Sequence, residues 1–352
     1  MNLKKIIKNN QLTIPDAPLL FFLDLTERCN LKCWFCYNGN VHKKAEASFE
    51  DVVKILNIMH SVSCNEIIYL GGEPTLHSRF FDILDYAEDL GFAQTVVTNG
   101  QILNHQFVNK LKKYSNFEVG ISIHSCDSSI QNRISGSKFA FNKLDRAIGY
   151  LSDLDINWYS QTSLIKENHL QLRDLYQFLL SKGNPSRIDL SRMVVKNNCK
   201  YDFLDENGYI EVFKQLNVID NKIPIRIEAF PRCWLKKVSI TNQLNYEKLL
   251  KTIRPCYAWV AQVSVDIYGN VRLCPTGGCI AGNLLKDDIK SIWNKAGAIK
   301  QFQKFLWQKK ECLSCSDFPF CLGGCKMTNV NFQPSPDKLI VNGGIPYACL
   351  SE

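Results

Sequence analysis

Cys29-Asn30-Leu31-Lys32-Cys33-Trp34-Phe35-Cys36 places three cysteines within eight residues, separated by three and then two positions. The segment follows an apolar run, Leu19-Leu20-Phe21-Phe22-Leu23, that reads as a buried strand. Three thiolates on one short loop can hold three corners of a cubane iron–sulfur cluster. Cluster irons are commonly held by four cysteines, so this loop leaves one iron for another ligand. Zinc, or three unrelated buried thiols, are the competing readings. Zinc sites usually close four-coordinate from paired short-spaced ligands, which a lone three-cysteine loop fits badly.

The rest of the composition narrows the class. The 352-residue chain carries 15 cysteines, unevenly clustered, and no signal-peptide core follows its lysine-rich start; Pro15 and Pro18 interrupt that region. Clustered thiols in a reducing compartment more often bind metal or do redox chemistry than form a disulfide scaffold. At 45% hydrophobic and 22% charged, the chain suffices for one large domain or two ordinary ones. No apolar run approaches the ~20 residues of a membrane helix. The expectation is a cytoplasmic protein with no membrane segment. The formal charge of +8 comes without a basic–aromatic stripe, so no nucleic-acid partner is expected. Lys4, Lys5, Lys8 and the Lys309-Lys310 pair read as solvated faces.

From about residue 19 to 195, short apolar strands alternate with amphipathic helices. The predicted strands are Leu20–Leu25, Glu66–Leu70, Gln94–Thr98, Glu118–Ile123, Trp158–Leu164 and Arg187–Ser191. Ser48 and Asp51 ahead of Val52, Ile55 and Leu56 read as a capped helix start. Phe80, Ile83, Leu84 and Ala87 form a second stripe closed by Gly91; Leu170, Leu172, Leu175, Phe178 and Leu179 form a third closed by Gly183. Such alternation predicts right-handed crossovers and a parallel sheet. The expected fold is α/β: a partial (β/α)6 TIM-type barrel followed by a small cysteine-rich domain. The expected divisions are an N-terminal extension (1–17), the barrel (18–200), a bridge (201–250) with a helix at Gly208–Leu216 and a strand at Ile223–Ile227, and a cysteine-rich domain (251–352). Active sites of α/β barrels gather at the carboxyl ends of the strands. There lie the cysteine loop, Gly71-Gly72-Glu73-Pro74, Thr98-Asn99-Gly100, and Ser122 with His124.

C-x3-C-x2-C after a first strand, with Phe35 before the last cysteine, resembles the radical S-adenosylmethionine enzymes. The resemblance implies a 4Fe–4S cluster on Cys29, Cys33 and Cys36, whose open iron chelates the amino and carboxylate groups of S-adenosylmethionine. Reductive cleavage then yields a 5′-deoxyadenosyl radical, the cofactors carrying the hard chemistry while the protein orients and shields. Gly71, Gly72 and Glu73 resemble the family's motif for the methionine amino group; glycine admits close backbone approach and a carboxylate suits an ammonium. By the same resemblance Ser122 bonds the cofactor's carboxylate or ribose, and Arg146, at the start of the helix after that strand, reaches the carboxylate, with Arg133 as its competitor. Phe35 offers its backbone to the adenine. Asn99 lines the pocket, although Thr98-Asn99-Gly100 is also good turn chemistry. His77, His124 and His169 read as structural or surface histidines.

The C-terminal region carries Cys312-x2-Cys315-x5-Cys321-x3-Cys325, then Cys349, with Cys256 and Cys274 upstream. This pattern resembles the SPASM extension of radical S-adenosylmethionine enzymes, which binds up to two auxiliary 4Fe–4S clusters; a zinc ribbon is the alternative. The resemblance implies a distal cluster on Cys312, Cys315, Cys321 and Cys349. The nearer one would take Cys256, Cys274 and Cys325, with Cys279, or less readily Cys233, as a fourth ligand, or an iron left open to substrate. Cys64, Cys126 and Cys199 read as ordinary buried thiols.

SPASM proteins mostly modify peptides, by crosslinking, epimerisation or side-chain oxidation. The expected function is radical modification of a ribosomally made peptide, with a reductant such as flavodoxin or ferredoxin. Related sulfatase-maturating enzymes carry an aspartate after the cysteine matching Cys274; here Pro275 follows, which weakens that reading. Only 28 residues precede Cys29, so a fused leader-gripping domain is not expected, and a peptide would need a separate recognition protein or direct docking on the barrel and bridge. The alternatives are oxidation or rearrangement of a small molecule or cofactor precursor, an iron–sulfur carrier or scaffold, and a zinc-stabilised binding protein.

Overall fold

Near-continuous apolar runs make strands that are buried on both faces, and such strands pair in parallel beneath a layer of helices. The computed structural model describes residues 7–8, 11–38, 45–183, 185–193, 204–220, 222–295, 297–304 and 310–325. A short hairpin, β1 (Ile7–Lys8) and β2 (Gln11–Leu12), comes first. The alternating region follows as β3 (Leu20–Thr26), α1 (Phe49–Ser61), β4 (Glu66–Gly71), α2 (Phe80–Asp89), β5 (Ala93–Thr98), α3 (His105–Leu111) and β6 (Phe117–Ser122). It continues through α4 (Ser128–Ser135), α5 (Ala140–Asp153), β7 (Trp158–Leu164), α6 (Leu172–Ser181) and β8 (Ile188–Arg192). These six strands, β3 to β8, pair in parallel in sequence order.

The parallel run then goes beyond six. α7 (Glu206–Val218) leads to β9 (Ile225–Glu228), which joins β8; α8 (Arg232–Thr241) and α9 (Tyr246–Leu250) lead to β10 (Ile253–Arg254) beside β9. At the opposite edge β11 (Gln262–Val265) lies parallel to β3, and β12 (Asn270–Cys274) and β13 (Gly277–Asn283) extend the sheet antiparallel. One 11-stranded sheet results, in the order β10-β9-β8-β7-β6-β5-β4-β3-β11-β12-β13. Helices α10 (Ile289–Lys295), α11 (Gly297–Gln303), α12 (Lys310–Leu313) and α13 (Phe318–Cys321) complete the cysteine-rich region.

Local chemistry explains the element ends. Ser48 caps α1 by accepting from Asp51 N at 3.1 Å. Asp127 caps α4, which ends at Gly136 in the left-handed region. Phe21, Leu23 and Leu25 on β3 are fully buried, each stabilising by about 1.5–3 kcal/mol relative to exposure. Leu170 does not join the α6 stripe: it lies before the helix and is 63% exposed.

Side-chain alternation divides each strand between helix layer and hollow. On β9, Ile225 packs with Leu172, Tyr176 and Leu216, and Ile227 is fully buried. Arg226 and Glu228 therefore face the concave side. Asp189, the register partner of Arg226, and Gln161, the partner of Asp189, stand on the same face.

Candidate active site

The cysteine loop leaves β3 under tight backbone control. Arg28 N donates to Thr26 Oγ1 at 3.1 Å, and the Arg28 guanidinium pairs with Glu46 and donates to Leu76 O at 2.6 Å. The far side of the loop is strapped to α4: Lys32 N donates to Ser135 O (3.1 Å) and Trp34 N to Ile134 O (3.3 Å). Trp34 and Phe35 pack against Ile130, Ile134, Ile165 and Met193. The Phe35 ring meets the His124 ring edge-on at 4.9 Å. His124 is buried, accepts from Ser163 N, and is pushed down to about 4 by burial, so it stays neutral. His77 holds Ala47 O and His169 holds Lys166 O, in structural roles.

Burial pushes the Cys29 thiol up to about 11, with Glu73 and Cys36 adding to it; burial pushes Cys33 up to about 12, with Cys36 and Cys29 adding. The three sulfurs thus stand within coulombic range of one another. Among the described residues, no three His, Cys, Asp or Glu side chains gather tightly enough to hold a single ion. Soft sulfur donors whose anionic forms repel one another suit a polynuclear iron core, whose positive charge offsets that repulsion.

Gly71 and Gly72 join the end of β4 to the start of this loop. Gly72 N donates to Thr26 O at 2.6 Å and Glu73 N to Arg28 O at 2.7 Å. A Cβ on Gly72 would stand 2.2 Å from Arg28 O, and one on Gly71 2.3 Å from Thr26 O. The glycines are thus required by backbone meeting backbone, whatever they also do for a ligand. Asn38 donates to Gly71 O at 2.7 Å.

Glu73 is 1% exposed, and burial raises its carboxyl above the ordinary range. Its oxygens accept from Thr75 Oγ1 (2.5 Å), Thr98 Oγ1 (2.6 Å) and Asn99 N (2.8 Å). The carboxylate read as an ammonium partner is occupied in tying β4 to β5. Asn99 in turn donates to Asn30 Oδ1 at 2.8 Å and approaches Cys29 Sγ at 3.8 Å. Ser122 ends β6 on the concave face, opposite Gln161. Arg146 is not brought to this rim. Two helices, not one, follow β6, and Arg146 sits mid-way along α5, exposed, donating to Asn142 O one turn earlier. Arg133 is exposed in the last turn of α4.

The sequence reading missed a buried ion pair. Asp24 on β3 pairs with Arg272 on β12, with side chains 8% and 13% exposed. Tyr37, next to Cys36, lies within coulombic range of Asp24, Arg272, Cys36 and Cys274, and burial raises its phenol well above the ordinary range. This cluster spans from the N-terminal cysteine loop to the first cysteines of the C-terminal block. Replacing Arg272 by alanine leaves the Asp24 charge buried without its guanidinium, and is expected to lower stability by about 3–5 kcal/mol in urea unfolding. The double variant Asp24→Leu, Arg272→Met is expected to recover most of that loss.

The C-terminal cysteines fall into two groups. Burial pushes Cys274 up to about 12, with Cys256 and Cys325 within coulombic range of it. Cys321 is buried, accepts from Arg232 N at 3.4 Å, and interacts with Cys233, which also interacts with Cys315. Cys233 therefore faces the Cys315–Cys321 set and not the Cys256–Cys274–Cys325 set. Cys312 lies in the short α12, half-buried, and Cys279 is a β13 residue. Cys64 is buried and Cys126 half-buried, while Cys199 and Cys349 lie outside the described residues.

Comparison with known proteins agrees with this geometry. The model of the radical SAM superfamily matches residues 23–179, and that of an iron–sulfur cluster-binding domain, SPASM, matches residues 256–316. The chain is 23% identical over 319 residues to the PqqA peptide cyclase of Bradyrhizobium diazoefficiens, covering 88% of this chain and 81% of that protein. It is 25% identical over 329 residues to the AdoMet-dependent heme synthase of Nitratidesulfovibrio vulgaris, covering 88% of each. Streptococcus suis SuiB bound to its precursor peptide SuiA superposes with a TM-score of 0.71 at 18% identity, over 96% of this chain and 77% of that one. The structure of anSMEcpe with bound AdoMet gives 0.67 at 18%, over 94% and 93%. The chain thus carries a radical SAM domain over residues 23–179 and a SPASM iron–sulfur cluster-binding domain over residues 256–316.

Proposed function

We propose that this enzyme uses S-adenosylmethionine, on a cluster held by Cys29, Cys33 and Cys36, to modify a ribosomally made peptide. The observation that carries the reading is the meeting of the cysteine loop, Gly71–Glu73 and Asn99 at one rim, linked by Asp24 and Arg272 to the strand bearing Cys274. When bound, the cluster and the sulfonium cofactor supply a 5′-deoxyadenosyl radical that removes a hydrogen atom from substrate. The protein's part is to fix the loop between β4 and α4 and to keep His124 neutral beside Phe35. Auxiliary clusters would sit on Cys256, Cys274 and Cys325, with Cys279 a further candidate, and on Cys312, Cys315, Cys321 and Cys349.

Relatives named for a peptide substrate support the peptide, and so does the hollow. Its β7–β9 wall carries Gln161, Ser163, Asp189, Ser191 and Arg226, polar groups that suit amide and side-chain contacts. The similarity to heme synthases favours a second reading, a tetrapyrrole or other small cofactor precursor; a tetrapyrrole face asks for broad apolar walls. Reductive incubation of the reconstituted enzyme with S-adenosylmethionine separates these. Stimulation of 5′-deoxyadenosine by a candidate peptide is expected. Mass spectrometry then shows loss of two hydrogens for crosslinking, or no mass change for epimerisation. Stimulation by a tetrapyrrole alone moves the assignment to the second reading, and no 5′-deoxyadenosine under any condition leaves an iron–sulfur carrier.

A further inference from the structure

Glu228 closes β9 at the carboxyl ends of the barrel strands, the rim that also carries the cysteine loop. It faces the hollow because Ile225 and Ile227 on either side of Arg226 turn into the helix layer. Water reaches its side chain there, yet protein surrounds it on the barrel's inner wall. The titratable and charged groups around it come from four strands: Tyr159 on β7 and Asp189 on β8, Arg226 on its own strand, and Arg254, its register partner on β10.

Other acidic groups toward this hollow are engaged. Glu73 is held by Thr75, Thr98 and Asn99, and Asp24 by Arg272. Arg187 takes Glu118 at 2.6 Å and Asp189 at 2.9 Å, stacked 3.6 Å over the Tyr159 ring. Among the described residues, no hydrogen bond or ion pair holds the Glu228 carboxylate. Although its side chain meets water, the protein massed around it keeps that carboxylate poorly solvated; this, reinforced by Asp189 and only partly opposed by Arg226, pushes the carboxyl up to about 7. A group with that affinity is the kind that takes and gives protons at neutral pH. Pro275, following Cys274, has no side chain able to do so.

We propose that Glu228 is the catalytic base that removes the proton accompanying radical oxidation of the substrate. The step rests on the radical chemistry proposed above and is written for a crosslink between a substrate C–H and a substrate X–H. The hydrogen atom of the C–H goes to the 5′-deoxyadenosyl radical, giving 5′-deoxyadenosine. The proton of X–H goes to the Glu228 carboxylate, one electron goes to an oxidised auxiliary iron–sulfur cluster, and the remaining electron pair forms the C–X bond. The substrate loses two hydrogens, and Glu228 returns its proton to water through the open hollow.

Glu228→Gln keeps the shape and removes the base. Infrared spectroscopy of the reconstituted wild type is expected to show a protonated-carboxyl band that disappears as pH rises through about 7 and is missing from the variant. With a peptide that stimulates 5′-deoxyadenosine, the variant is expected to retain that stimulation but to lose crosslinked product by between about 10²- and 10⁴-fold. Wild-type product formation rises with pH through about 7 as the carboxylate becomes free to accept; the variant loses that limb. A variant with the wild-type ratio of product to 5′-deoxyadenosine and the same pH limb overturns the assignment. So does a band titrating in the ordinary carboxylate range near about 4. Absence of 5′-deoxyadenosine from wild type and variant alike sinks the radical reading instead, and the infrared titration then decides Glu228 without turnover.

Discussion

Alanine at Cys29, Cys33 or Cys36 abolishes 5′-deoxyadenosine formation, to below about 10⁻³ of the wild-type rate, because the three thiols act as one unit. Each stands within coulombic range of another, on a loop clamped between β4 and α4 that presents no further cysteine. The loss is expected to be selective. Iron content falls by about four atoms per chain, the content of one cubane, while the Cys256–Cys274–Cys325 set keeps its share. Far-ultraviolet circular dichroism stays unchanged, since Trp34 and Phe35 still anchor the loop in its apolar cluster. Turnover that survives in any of these variants refutes the assignment of this loop.

Gly72→Ala has the second-largest expected effect, and it acts through the backbone. The new methyl meets Arg28 O at 2.2 Å, Arg28 C at 2.6 Å and Glu27 O at 2.7 Å, none of them a side chain able to swing away. Relief requires breaking the bonds from Gly72 N to Thr26 O and from Glu73 N to Arg28 O, which fix where Cys29 begins. Overpacking costs about 1–3 kcal/mol, occasionally more, and this contact belongs at the upper end. The variant is expected to lose about 3 kcal/mol or more in urea unfolding, and to reconstitute poorly at the N-terminal cluster. Gly91→Ala is the control. Gly91, unlike Gly72, has positive φ, at 75°, and nothing lies within 4 Å of its added Cβ. Its cost is confined to the left-handed backbone, roughly 1–2 kcal/mol, with iron content unaffected.

The strands and their rim were legible in the sequence because buried parallel strands advertise themselves as apolar runs, and the loops at their ends hold the unusual residues. The three-cysteine loop, Gly71–Glu73 and Asn99 do converge. What the sequence concealed was set by topology. Arg146 was misplaced because α4 intervenes between β6 and α5, moving it from a helix start to a helix middle. Asp24 and Arg272 are 248 residues apart, and neither shows a local sign of the other. Ile225-Arg226-Ile227-Glu228 reads locally as a half-exposed alternating strand. Only the pairing of β9 between β8 and β10, with helices covering its apolar side, turns its polar side into the lining of a hollow. The role of Gly72 was legible as close approach, but the atoms approached are those of Thr26 and Arg28.

The ladder from β11 to β3 has a consequence for modularity. Val263 and Val265 register with Phe21 and Leu23, so the C-terminal hairpin completes the margin of the barrel's own first strand. A chain cut after Leu250 would bare a long, flat, apolar margin with unmet amide donors and carbonyls, the kind of surface that templates self-association. The two halves are thus poor candidates for separate expression or for shuffling among homologues. Recombination between enzymes of this kind is expected to succeed only where the incoming hairpin brings its own match to Leu20–Thr26.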